Sequence, residues 1–316
     1  MELILNELSF DESAIDRETA RCWMEELGRT INASTSRGAE RILRTHRDFW
    51  SINISANYSV IDWSIDQIVD RDTKRFILSL AGKSPFIEEL IEVIELKVNM
   101  STEIKIGDRA AIGLRLAALR NDPVVGVMSE EWKQNPLSIS VDRLNSDGIL
   151  KPEDFNVRNW HHSSVVACDR YWIRDRLAEE VQSGEDLWNK RKRYLQRVEF
   201  VSNAEKSLRR LTGKEQPFPH VVKHLLELNL QAAAWNDGPF MNEHFAYQYS
   251  EESTSTIRQF VDQRAFVCRD GKTRLFSKHT KTGPDAWRIH FLEDANLRRV
   301  VIGYIGPHMP TAADPT

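Results

Sequence analysis

Residues 287–291, Trp-Arg-Ile-His-Phe, alternate strictly between apolar and basic side chains. This pattern constrains the chain more than any other. In a strand, successive side chains point to opposite faces, so Trp287, Ile289 and Phe291 share one face and Arg288 and His290 the other. Just upstream, Arg269-Asp270-Gly271-Lys272 separates two β-prone runs, 265–268 and 274–278. An Asp-Gly turn between such runs predicts a hairpin. Residues 300–305, reached through Leu-Glu-Asp-Ala-Asn-Leu-Arg-Arg, predict a second antiparallel pair with 287–291. On the strand before, Arg274, Phe276 and Lys278 share a face, and His279 and Lys281 lie just beyond its end. The expected sheet is apolar beneath and displays Arg, Lys and His above. Such a face suits an anionic ligand. Arginine forks onto phosphate, lysine adds a point charge, and histidine can move a proton near neutral pH. The plain alternative is a solvated, charged sheet face.

Charge supports this location. Residues 1–150 hold 18 Lys and Arg against 25 Asp and Glu, whereas 151–316 hold 25 against 22. Residues 264–290 alone carry seven Lys and Arg, two Asp and two His. A near-neutral chain of 316 residues, net charge −4, with one cationic stretch is not a general polycation. Any contact with RNA or DNA is expected at that stretch. With 41% hydrophobic and 28% charged residues the chain is globular in class. No run approaches the roughly 20 apolar residues of a membrane span, and no basic segment precedes an apolar run at the start, so no membrane contact and a cytoplasmic location are expected. Cys22, Cys168 and Cys268 are widely spaced and odd in number, which argues against a disulfide framework or a cysteine-rich zinc site and for small buried or half-buried thiols.

The expected fold class is α+β in three regions. Residues 1–150 read as a mixed, acidic α/β region. A strand is expected at 2–6, a helix capped by Asp11 or Ser13 and running to about Ile31, and further helices at 70–80, 86–98 and 110–119. Strands follow at 124–128 and 137–141. There is no ordered strand–helix–strand repeat and no GxGxxG or GxxxxGK loop, which disfavours a Rossmann or P-loop site. The polar stretch 145–159 reads as a boundary. Residues 151–250 read as mainly helical, with helices at 165–181, 185–195, 204–211 and 220–230. Residues 251–316 read as a helix, 252–263, plus the basic antiparallel sheet and a frayed tail.

Other constellations carry weaker chemistry. In Arg158-Asn159-Trp160-His161-His162-Ser163-Ser164 no metal or nucleophile frame surrounds the histidines, and Ser163 or Ser164 reads as a helix N-cap. Glu95-Leu96-Lys97 and Glu103-Ile104-Lys105 match the E-x-K end of a restriction-type nuclease motif, with Asp70 or Asp72 as the earlier carboxylate. That tripeptide is common by chance. His220 and His224 have helical metal spacing but no third ligand in view. Lys190-Arg191-Lys192-Arg193 is a solvated helix face or a phosphate-backbone contact.

The ending RIHF…VVIGYIGPHMPT, preceded by RAFVCRDGKTRLFSKHTK, resembles an uncharacterised family of bacterial proteins, many in defence-type gene neighbourhoods. LILNELSFD, VDRDTKRFILSLAGKSPF and VRNWHH extend the likeness over nearly the full length. It implies a setting, an accessory or antiviral-defence protein, rather than a mechanism. Over the last sixty residues or so the chain is also distantly similar to ribonuclease toxins of the RelE type, whose sheet presents Lys, Arg and His to RNA and cleaves without metal. That similarity implies a metal-independent ribonuclease, with His290 or His279 transferring the proton and Arg288, Lys278 and Lys281 stabilising the phosphorane charge. Arg274, Lys278, Lys281 and Arg288, with Lys190, Arg191, Lys192 and Arg193, are then the nucleic-acid contacts. No cofactor and no metal are expected. The alternative is a non-enzymatic scaffold that binds a partner protein in a bacterial complex through its acidic first half and Trp-rich surfaces.

Overall fold

In the computed structural model, residues 1–10, 16–98, 102–103, 105–106, 109–144, 150–240, 245–283 and 286–314 are described. The fold is α+β, and the chain divides into two compact units, Met1–Asp169 and Arg170–Thr316. The helical region and the C-terminal sheet, expected as separate regions, fall within one unit. Among the described residues, no helix is long and apolar enough to cross a membrane.

The first unit opens with strand β1 (Leu3–Leu5), fully buried, and helix α1 (Arg17–Ser36). The helix starts at Asp16, whose carboxylate accepts the amide N–H of Thr19 at 2.8 Å. Asp11 and Ser13, the expected caps, lie outside the described residues. Ala20, Met24, Leu27 and Ile31 form the buried stripe of α1, at the three- and four-residue spacing that a helix needs to cover a sheet. After β2 (Leu43–Arg44) come the ladder of β3 (Asn53–Ser55) and β4 (Tyr58–Ser59), then helices α2 (Val60–Ile65), α3 (Arg71–Leu80) and α4 (Ile87–Val98). Short strands β5 (Thr102–Glu103), β6 (Lys105–Ile106) and β7 (Arg109–Ala110) lead into α5 (Ile112–Arg120) and β8 (Val124–Val125). The long strands β9 (Leu137–Leu144) and β10 (Leu150–Val157) pair antiparallel, followed by β11 (Asn159–Trp160) and α6 (Ser163–Cys168).

Strands β11-β8-β1-β2 form one sheet in that order, every pair parallel. The absence of a strand–helix–strand repeat is therefore corrected: β1, α1 and β2 make one. Its strands are two or three residues long, too short for a periodic signal. The boundary read at 145–159 is corrected as well, because Phe155 and Val157 pair with Ile139 and Leu137 across β9. The helix expected over 165–181 is two helices, broken where the Asp169 carboxylate accepts from Trp160 Nε1 at 2.8 Å and Asn135 Nδ2 at 2.9 Å.

The second unit begins with helices α7 (Arg170–Glu179) and α8 (Gly184–Tyr194), strand β12 (Val198–Phe200), and helices α9 (Ser202–Arg209) and α10 (Phe218–Ala234). Then follow β13 (Tyr249–Glu251), α11 (Thr254–Arg264), the hairpin of β14 (Ala265–Val267) and β15 (Thr273–Leu275), and strands β16 (Lys278–Thr282), β17 (Trp287–Asp294) and β18 (Arg299–Gly306). The hairpin forms at Asp-Gly as the turn chemistry requires, with Gly271 at φ 77°. The main sheet runs β12-β18-β17-β16-β13, antiparallel except for β12 on β18. Helix α10 packs on its apolar side. There Ile289, Phe291, Ile302 and Ile305 are buried, and His224 of α10 hydrogen-bonds Thr280 of β16 at 2.8 Å.

The tail expected to fray is held. Arg264 donates to the Pro310 carbonyl at 2.8 Å, Ala312 N–H donates to Thr256 Oγ1, and Met309 is buried. Cys22 and Cys168 are exposed rather than buried, and all three cysteines are free.

Candidate functional site

Register builds the site. His279 of β16 lies directly opposite His290 of β17, and Lys281 directly opposite Arg288. His290 in turn faces Tyr304 of β18, and Arg288 faces Gly306. Residues paired across antiparallel strands project to the same side. One sheet face therefore carries a row of His279, His290 and Tyr304 beside a row of Lys281 and Arg288. The two-residue period also separates Trp287 and Ile289 from Arg288 and His290, as the alternation requires.

The basic face is covered, not displayed. Phe266 and Phe276, edge to face at 5.4 Å, lie over Gly303, where a Cβ would meet Phe276 Cδ1 at 2.6 Å. Arg264, at the end of α11, is fully buried and places Nε and Nη2 on Glu252 Oε1, each at 2.9 Å. His290 is 1% exposed and His279 8%. The His279 and His290 rings are 5.0 Å apart, centroid to centroid, and Glu252 Oε1 is 3.8 Å from His279 Nδ1. His290 Nδ1 is 3.1 Å from the Phe276 carbonyl, an acceptor only, so Nδ1 carries the proton and Nε2 the lone pair. Among the described residues, three buried atoms here have no hydrogen-bond partner: His279 Nδ1, Arg264 Nη1 and Arg288 Nε. Unpartnered buried polar atoms are costly, and three of them lie on or beside this histidine row.

Burial sets the charge states. It pushes the His290 imidazole down to about 3, with the nearby His279, Arg264 and Arg288 adding to the shift. It also lowers His279, against the pull of the Glu252 carboxylate. Both rings are neutral at pH 7. A base as weak as His290 is a poor proton acceptor, but a neutral imidazole with a free lone pair is a good ligand.

The other expected contacts lie elsewhere. Arg274 is in β15, not in the strand of Lys278 as expected, and forks onto Asp270 at 2.6 and 2.7 Å. Lys278 points to the side opposite His279 and pairs with Glu293 at 2.7 Å. Lys190 is held by Asp186 and the Glu180 carbonyl, Arg193 pairs with Glu180, and Arg191 lies over the Trp188 ring at 4.0 Å. Lys192 is exposed on the same helix, α8. A cavity of about 480 Å³ lies between the hairpin and β17–β18; Arg274, Asp270, Glu199 and Glu293 line it, and neither site histidine does.

Of the remaining motifs, His162 itself caps α6, its Nδ1 accepting from Ser164 N–H at 3.1 Å, which corrects the cap expected at Ser163 or Ser164. His220 is exposed, whereas His224 is buried and stacks on Tyr247 at 3.7 Å, so the pair shares no site. Glu95 lies in a helix and pairs with Arg115, which removes the extended geometry an E-x-K motif needs. Residue 104 of the second E-x-K lies outside the described residues. Asp70 caps α3 by accepting from Thr73 N–H at 2.7 Å.

Glu252 and Arg264 are the site residues that sequence reasoning missed. Glu252 falls in no motif, and Arg264 counts, without a role of its own, as the first residue of the cationic stretch 264–290. Both belong to the flanks of α11, which only the tertiary fold folds back onto the histidine row. No protein-family model matches the chain, and no curated protein or solved structure matches it.

Proposed function

We propose that the protein binds the phosphodiester backbone of RNA or DNA at the Lys281–Arg288 row of its C-terminal sheet, in the bacterial accessory or defence-type setting that the family resemblance implies. One observation carries this reading: Lys281 and Arg288 are register partners beside the histidine row, and Arg288, its Nη1 held by the Ala286 and Trp287 carbonyls at 3.0 Å, forms no ion pair among the described residues. Lys281 is exposed and Arg288 half-buried, so this row is the accessible end of the polar face. An arginine fork and a lysine point charge side by side are a phosphate-recognition pair.

The footprint is narrower than the sequence alone suggests. Arg274, Lys278, Lys190 and Arg193 are engaged in ion pairs, and His290 is sealed from solvent. Recognition therefore rests on two cations, and His290 as a proton carrier is not part of it. With so few phosphate contacts, affinity falls only modestly with salt, by a slope of about −2 in log K against log salt for a duplex.

Fluorescence anisotropy with labelled RNA and DNA oligonucleotides at low salt tests this. Arg288→Ala and Lys281→Ala are expected to weaken binding at least tenfold, and Arg274→Ala less than twofold. If no oligonucleotide binds at low salt, the reading is overturned and the protein-partner scaffold takes its place.

A further inference from the structure

We propose that Glu252, His279 and His290 hold one divalent transition-metal ion. The inference stands on geometry independent of the phosphate reading. One donor atom from each of the three residues lies within 4.8 Å of the other two. Ligands about 2.1 Å from a common ion sit roughly 3–4 Å apart, so closure around a metal asks for side-chain movements of about an ångström. The three come from separate places: Glu252 precedes α11, and His279 and His290 face each other on β16 and β17.

The surroundings are those of a ligand set. The Phe276 carbonyl fixes His290 in the tautomer with Nε2 free, the outer-shell hydrogen bond that metal-binding histidines usually make. Arg264 places both Nε and Nη2 on Oε1 of Glu252 and so orients the carboxylate. His279 Nδ1, on a ring only 8% exposed, has no hydrogen-bond partner among the described residues. Buried polar atoms are usually paired, and an ion would give this one its partner.

Two imidazoles and one carboxylate suit Zn²⁺, Co²⁺, Mn²⁺ or Fe²⁺ rather than Ca²⁺ or Mg²⁺, which prefer oxygen ligands. Three protein ligands leave coordination positions open, and Arg288 stands one row along the same face. An ion here would supply a Lewis acid beside the proposed phosphate contact, in place of a histidine proton relay.

The test uses full-length protein stripped with EDTA and titrated with Co²⁺, with bound metal counted by mass spectrometry and the visible absorption spectrum recorded. One equivalent is expected, with affinity reduced at least 100-fold in His279→Ala and His290→Ala and unchanged in His220→Ala. Circular dichroism checks that each variant is folded. Should the alanine variants unfold, X-ray absorption on the wild-type cobalt protein decides instead: two imidazole shells support the site, and none overturns it. Absence of stoichiometric binding, or binding unaffected in folded His279→Ala, also overturns it. No nucleic acid is present, so a protein that takes the ion but no oligonucleotide keeps this inference and loses the phosphate reading, and the converse result does the reverse.

Discussion

His279 and His290 face each other across adjacent antiparallel strands, 5.0 Å between ring centroids, where burial lowers the basicity of both rings. What keeps that arrangement together is Arg264, a fully buried cation whose partners are Glu252 and the Pro310 carbonyl. The site, the start of α11 and the C-terminal tail are thus tied through one guanidinium.

Arg264→Ala should therefore destabilise the C-terminal unit by roughly 3–5 kcal/mol, because it leaves a buried carboxylate without its countercharge. Arg264→Ala combined with Glu252→Gln should recover part of that loss. Urea unfolding followed by Trp fluorescence measures both. An Arg264→Ala protein as stable as wild type would show that the pair does not hold the site.

The cover over the histidine row depends on Gly303. A Cβ there would meet Phe276 Cδ1 at 2.6 Å and Phe266 Cδ2 at 2.8 Å, both on packed rings. Gly303→Ala should cost about 1–3 kcal/mol by forcing those rings outward. Hydrogen exchange should rise in the hairpin of β14 and β15 and stay unchanged in the first unit.

One buried group in each unit should contribute to pH-dependent stability with opposite sign. Burial pushes the His224 imidazole in the second unit down to about 3 from its ordinary value of 6.5. Between those values the unfolded chain binds a proton that the folded chain does not, so stability falls as pH drops from about 6.5 towards 3, by at most about 1.4 kcal/mol per pH unit for this group. His224→Gln should flatten the dependence of the urea midpoint over that range by about one proton.

Glu7 in the first unit works the other way. Its carboxylate accepts N–H groups of Ile112 and Gly113 at the start of α5, and burial pushes its pKa up to about 7 from 4.5. Here the folded chain holds the extra proton, so stability is full below about 4.5 and declines as pH rises towards 7. Glu7→Gln, which stays neutral, should remove that decline without altering the response of the second unit.

Alternation at 287–291 made the two faces of β17 legible, and Asp270-Gly271 made the hairpin legible, since both are local signals. Of the parallel sheet of the first unit, β1 and β8 were legible, within the strands expected at 2–6 and 124–128, whereas β2, β11 and the parallel pairing were not. Its strands are two or three residues long and owe their existence to helices packed over them. The site was half legible. His279, His290, Lys281 and Arg288 were singled out for charge and period, but strand polarity alone does not say whether a face is open. Phe266, Phe276 and Arg264, from segments that read as hairpin and helix, cover it. Glu252 gave no signal at all, because its role depends on a chain reversal around α11.

The central claim is that ligand binding happens at the polar face of the C-terminal sheet. Long-range ¹H–¹⁵N spectra of the histidine rings test it most directly, recorded as an RNA oligonucleotide is added at low salt. The account predicts that His290 starts as the Nδ1–H tautomer and that the ring signals of His279 and His290 move with saturation, while those of His46 and His161 stay in place. Saturable RNA binding that leaves the His279 and His290 rings unshifted would contradict it.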